Sequence, residues 1–169
     1  MRRLHLSDIA DMAALQEAMN GVVNALGANC FYMVRIDGTF AALKVRSEYK
    51  QEKPYRALDV ALAEDQTEFD YEDARGTLVG LYCPPYMSSL NTAGWHFHFI
   101  NEDRTRGGHV LQVSVKDAEA AFDLTNGFEM TLSARMSSRR WILPKMWMRR
   151  STARRRQQTH RTDFRMDPA

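Results

Sequence analysis

The 169-residue sequence is short of cysteine, of long apolar runs and, over most of its length, of positive charge, and each shortage removes a class of protein. Its 2 cysteines, Cys30 and Cys83, make no disulfide framework and give no ground for an oxidising compartment. No apolar run approaches the ~18 residues that mark a membrane span, and the first residues lack the apolar core of a signal peptide. The expectation is a cytoplasmic protein with no membrane contact. Residues 1–134 hold 12 Lys/Arg against 19 Asp/Glu, whereas residues 135–169 hold 11 against 2, so the net charge of +2 hides a sharp division. The acidic body offers nothing to a nucleic acid; only the basic tail does. The length suits one domain with a real core, read here as residues 1–133 with a separate tail at 134–169.

Histidine is scarce too, and its distribution is informative. Three of the 5 histidines fall in one stretch, Gly94-Trp-His-Phe-His-Phe-Ile-Asn-Glu-Asp-Arg-Thr-Arg-Gly-Gly-His109. Residues 95–100 alternate as a half-buried strand does, with His96 and His98 on one face and Trp95, Phe97 and Phe99 on the other. The polar residues that follow end in Gly107-Gly108, a hairpin turn, and 110–115 resume as the return strand. Pairing Glu102 with Gly107 sets Ile100 opposite His109 and His98 opposite Leu111, which brings His109 onto the face of the other two. Diagonal neighbours on one face lie about 7–8 Å apart, within reach of a shared ion. Three imidazoles with a fourth position open is the pattern of a catalytic rather than a structural zinc. The bland alternative is that strand histidines are solvated or hydrogen-bonded, and His-x-His by itself is common.

The remaining elements follow from periodicity. Residues 7–26 read as an amphipathic helix capped by Ser7 and ended by Gly27, with Ile9, Met12, Leu15, Met19, Val22, Val23 and Leu26 as its apolar stripe. Strands are expected at 30–36 and 39–47 around an Asp37-Gly38 turn, at 74–82, and at 122–132, with a turn over 116–121. Residues 57–63 suggest a short helix, and the acidic run 64–73 a solvated face and turn in which Phe69 and Tyr71 can form a short strand. Residues 86–92 read as a loop bordering a pocket. The expected fold class is α+β: an antiparallel or mixed β-sheet, curled or barrel-like, with one long packed helix and a basic tail read as disordered.

Several separate motifs share one resemblance. Arg35-Ile-Asp-Gly38, Gln51-Glu-Lys-Pro-Tyr55, Arg75-Gly-Thr-Leu-Val-Gly80, Gly94-Trp-His-Phe-His-Phe-Ile100 and Gly107-Gly-His-Val110 stand in the order and near the spacing of the alpha-acetolactate decarboxylases. The chain resembles that family over roughly residues 8–133, with Trp95 where tyrosine is more usual. The resemblance implies a zinc-dependent carboxy-lyase that forms acetoin from 2-acetolactate, with zinc (Zn2+) held by His96, His98 and His109 and a catalytic role for Arg46. Alternation alone places Lys44 and Arg46 on one strand face and assigns Arg46 nothing. The resemblance also implies an upstream segment and a C-terminal end, each bringing a glutamate to the metal, for which this sequence offers no counterpart. The activity of this chain is therefore expected to be weak or absent. A homodimer is left open.

The tail admits two readings. Arg135-Met-Ser-Ser-Arg-Arg140, Met146-Trp-Met-Arg-Arg150 and Arg154-Arg-Arg156 can form a disordered basic arm for an anionic surface. Alternatively the tail is a shifted reading frame: Met146-Trp147-Met148, read one base earlier, becomes Asp or Asn, then Val, then Asp. For the body, the competing functions are a cupin-like metal-binding module, a zinc-binding remnant without catalysis, and a zinc hydrolase. The cupin pattern starts from His96, His98 and Glu102 but needs a distant histidine, and only His160 follows His109.

Overall fold

The computed structural model describes residues 2–56 and 58–131. The element order is β1 (Arg2–Ile9), α1 (Met12–Leu26), β2 (Phe31–Glu48), α2 (Leu58–Glu64), β3 (Gln66–Cys83), a 3-10 turn (Pro85–Met87), β4 (Gly94–Asn101) and β5 (Gly107–Thr125). All strand pairings are antiparallel, and the sheet runs β1-β5-β2-β3-β4. A further pairing of β4 with β5 curls one end of the sheet back on itself without making a complete barrel. The chain divides after Phe128 into two units; of the second, only residues 129–131 are described. The boundary expected at 133/134 and both readings of the tail lie outside the described residues.

The expected fold class holds, but several elements differ. Residues 2–9 form a strand, so Ser7, Asp8 and Ile9 belong to it and not to the helix. Leu4 and Leu6 alternate with Arg3, His5 and Ser7, and they lie opposite Ala120 and Ala118 of β5. The helix begins later, capped by Asp11, whose Oδ1 accepts from the Ala14 amide at 2.9 Å. Gly27, at φ 117°, ends it as expected. Leu15, Met19, Val22 and Val23 of α1 are buried against the sheet, so the methionines are core filling.

The Asp37-Gly38 turn is absent, because β2 runs straight through it. Gly38 sits between Gly76 and Ala118, and a side chain there would strike the Asp117 carbonyl and Ala118. The glycine permits a close three-strand crossing rather than a reversal. Likewise β3 absorbs the acidic run: Phe69 and Tyr71 belong to one strand of 18 residues with Leu78 and Tyr82. The turn expected over 116–121 is the middle of β5, a strand of 19 residues. Register shifts at Thr39/Phe40, Phe40/Ala42 and Lys44/Val45 mark bulges that bend these long strands.

The buried core lies between α1 and the sheet and within the curl. Val34, Ile36, Phe40, Leu43, Val45, Leu78, Phe97, Phe99, Val110, Val113 and Val115 form it together with the helix stripe. The Phe40 and Phe99 rings meet edge to face at 5.6 Å between centroids. Among the described residues no helix is long and apolar enough to cross a membrane.

Candidate metal centre

The histidine hairpin exists, two residues out of the expected register. His98 lies opposite His109, Phe99 opposite Gly108 and Ile100 opposite Gly107. The turn closes on Asn101 and Arg106 rather than on Glu102 and Gly107: the Asn101 amide donates to the Arg106 carbonyl at 2.9 Å, and its Oδ1 accepts from the Thr105 and Arg106 amides. A shift of two preserves the faces, since side chains alternate with a period of two. The inference of a shared face therefore stands, with His98 and His109 directly opposed rather than diagonal.

Gly107 and Gly108 explain how β5 enters this position. A Cβ on Gly107 would collide with the Phe99 carbonyl, and one on Gly108 would lie 2.6 Å from the Arg46 carbonyl. Only a backbone without side chains fits between β4 and β2 there. The next residue, His109, is consequently opposite both His98 on β4 and Arg46 on β2. One row across the sheet reads His98, His109, Arg46, and His96 joins it two residues upstream of His98.

The imidazoles converge. Nε2 of His96 lies 2.9 Å from Nε2 of His98 and 3.1 Å from Nδ1 of His109. One nitrogen from each ring lies within 4.8 Å of the others, the one such group of histidine, cysteine and carboxylate side chains among the described residues. The rings of His96 and His98 stack at 5.0 Å, and His109 stands edge-on to both. Burial, then the neighbouring His98, then the Arg46 charge lower the pKa of His96. Burial, then His96, Arg46 and His98 lower that of His109 to about 4, against a smaller opposing effect of Glu48. Both rings are neutral at pH 7, the form whose lone pair binds a metal.

Arg46 is largely sheltered, its side chain 24% exposed. Its Nη1 donates to Gln66 Oε1 at 3.2 Å, and its Nε is buried with no hydrogen-bond partner, the Glu48 carboxylate being 3.7 Å away. A cleft of about 450 Å³ is lined by Arg46, His96 and His109 with Gln16, Thr92 and Trp95 among its other walls. Its position has a topological cause. One edge of β5 pairs with β4 at 107–109 and with β1 from Val115 onward, so on that edge residues 110–114 have no strand beside them, although β2 pairs with them on the other. The start of α1 and the loop before β4 border that gap. The expectation that the 86–92 loop borders a pocket is met through Thr92.

Two neighbours of the site carried no role in the sequence reading. Glu48 follows Arg46 by two residues and shares its face, a signal that alternation contains. Gln66 had no such signal, since it sat in a run read as solvated. Glu102 stays in the turn, with its amide bonded to the Arg75 carbonyl and its carboxylate 3.9 Å from Arg75. His5 is occupied elsewhere, bonded to Glu119 at 2.8 Å and near Asp117 at 3.4 Å.

Fold and site together define a class: a curled antiparallel sheet presenting three imidazoles able to hold a metal ion beside a sheltered arginine. A family model for alpha-acetolactate decarboxylase matches residues 2–139, and the chain belongs to that family. It is 40% identical over 129 residues to the alpha-acetolactate decarboxylase of Methanosarcina mazei, covering 76% of this chain and 44% of that one. It is 39% identical over 123 residues to that of Methylococcus capsulatus, covering 73% and 46%. The crystal structure of acetolactate decarboxylase from Bacillus subtilis subspecies spizizenii superposes with a TM-score of 0.81 at 25% identity, over 90% of this chain and 65% of that one. The chain thus spans less than half the length of these curated relatives.

Proposed function

We propose that this chain carries the metal site and charge clamp of a zinc-dependent decarboxylase that converts (S)-2-acetolactate to (R)-acetoin in the cytoplasm, within acetoin and butanediol formation. The observation that supports it best is the convergence of the His96, His98 and His109 nitrogens within 4.8 Å beside Arg46. The donor set suits zinc. Three bonds of about 2.0–2.1 Å set tetrahedral ligand nitrogens roughly 3.3 Å apart, close to the 2.9 and 3.1 Å seen here. With their pKa values lowered, His96 and His109 need lose no proton on binding the ion.

Zinc held by His96, His98 and His109 would supply Lewis acidity for the oxygens of a 2-hydroxy-3-keto acid, the kind of charge stabilisation that decarboxylation needs. The chain's own groups do the rest. Arg46 is permanently cationic, and its Nη2 makes no hydrogen bond within the described residues, so it can meet the substrate carboxylate. Its sheltered position strengthens that attraction relative to water. Arginine does not release a proton near neutrality, so the proton that completes acetoin comes from solvent rather than from Arg46. Trp95 and the buried Phe97 and Val110 give the cleft an apolar wall beside the polar Gln16 and Thr92.

The site is nevertheless open: His98 is exposed, and no carboxylate belongs to the nitrogen cluster among the described residues. Weak exclusion of water and few groups to orient it argue for slow turnover by this chain. The test is acetoin release from acetolactate by the zinc-loaded chain, beside hydrolysis of a simple ester. Zinc-dependent acetoin release, slower than that of a longer relative and lost in His109→Ala, is expected. Ester hydrolysis without acetoin, or acetoin release indifferent to His109→Ala, would overturn the reading.

A further inference from the structure

Two cations stand two residues apart on one face of β2, and β3 meets them differently. Lys44 faces two carboxylates, Glu68 at 3.4 Å and Asp70 at 3.6 Å. Arg46 lies opposite Glu68 in the strand register, yet that carboxylate turns to Lys44. From β3 Arg46 receives instead the neutral amide of Gln66, whose Oε1 accepts from Nη1 at 3.2 Å. Gln66 is itself opposite Glu48, the one acid within ion-pair distance of the guanidinium among the described residues; that carboxylate lies 3.7 Å from Nε, too far to hydrogen-bond, and at 40% exposure the pair is screened by solvent. An arginine has many rotamers, and a clamp must adopt one of them before its ligand arrives. A carboxylate at position 66 would fix it equally well but would form a charge pair and spend the attraction that a bound anion needs.

We propose that Gln66 is a positioning residue of this site: its neutral amide oxygen holds Arg46 in the row beside His109 without cancelling its charge, which is kept for the carboxylate of an anionic ligand. The proposal rests on the reading of Arg46 as the carboxylate clamp and adds the residue that sets it. Gln66 touches no ligand in this scheme. It acts through Arg46, so its removal should impair recognition of negative charge specifically, leaving recognition of neutral oxygen donors to the histidine site.

The experiment compares two probes by calorimetry on the full chain with one equivalent of zinc. One is 2-hydroxy-2-methylpropanoate, with a hydroxyl and a carboxylate; the other is acetoin, with a hydroxyl and a ketone but no charge. Arg46→Ala should weaken the hydroxy acid and spare acetoin. Gln66→Leu should weaken the hydroxy acid about 10-fold, the scale of losing a residue that orients another, and spare acetoin too. Gln66→Glu is the decisive variant, because it keeps the volume and the acceptor but adds charge. It should weaken the hydroxy acid at least as much, whereas a merely structural role for Gln66 would leave it like the wild type. Hydroxy-acid binding unchanged in Gln66→Glu while Arg46→Ala loses it overturns the role of Gln66 and leaves the clamp standing. Unchanged binding in Arg46→Ala overturns the clamp, and the role of Gln66 with it. Should Gln66→Leu fail to fold, the size-matched Gln66→Glu decides alone.

Discussion

The two faces of β4 differ as much as any two regions of the molecule, although they alternate residue by residue. One face puts Phe97 and Phe99 into the core, at 2% and 4% exposure, with Trp95 packed beside them. The other carries His96 and His98 toward solvent. The apolar face supplies the free energy and sets the register; the polar face inherits its geometry from that register. A one-residue slip would bury the histidines and expose the rings. The candidate metal site is thus cheap in stability terms, because the core opposite holds the three histidines in place.

That division can be broken from either side. Phe99→Ala removes a ring packed on Phe40 and Tyr71 and should cost about 3–5 kcal/mol, seen as a fall in Tm or denaturant midpoint. Zinc affinity should fall with it, although no ligand is touched. Gly107→Val tests the junction itself. Its side chain must push β5 off the Phe99 carbonyl, an overpacking cost of about 1–3 kcal/mol that should also part His98 from His109. Asp11→Ala acts on the helix that covers the core, losing the cap to Ala14 and about 1 kcal/mol while leaving zinc affinity unchanged. His98→Ala is the converse. The metal-free protein should keep its stability within about 0.5 kcal/mol, as an exposed side chain outside the core does, while zinc binding is lost.

The same division explains what could be read from residues alone. The hairpin was legible because Trp95 to Ile100 alternates cleanly and Gly107-Gly108 marks the reversal, and its face assignment survived a register error of two. Helix α1 was legible from its stripe, but its expected start at Ser7 took in the end of β1, and Leu4 and Leu6 drew no element because two alternating positions make a faint signal. The long strands were misread for one reason. Asp37-Gly38 and the 116–121 segment look like turns, yet those glycine and alanine positions serve close packing between β2, β3 and β5, which only the assembled sheet reveals. Arg46 draws its proposed role from resemblance, and its place in one row with His109, which alternation alone could not give, supports that proposal. Gln66 could not have been found, since its partner is 20 residues away and their pairing depends on register.

The central claim is that His96, His98 and His109 together hold one zinc ion on the open face of the sheet. Metal analysis of the purified chain after equilibration with zinc and removal of excess tests it most directly. About one zinc per chain is expected for the wild type, with most of it lost in each single alanine variant and essentially all of it in the triple variant. Equal zinc in the wild type and the triple variant would contradict the claim.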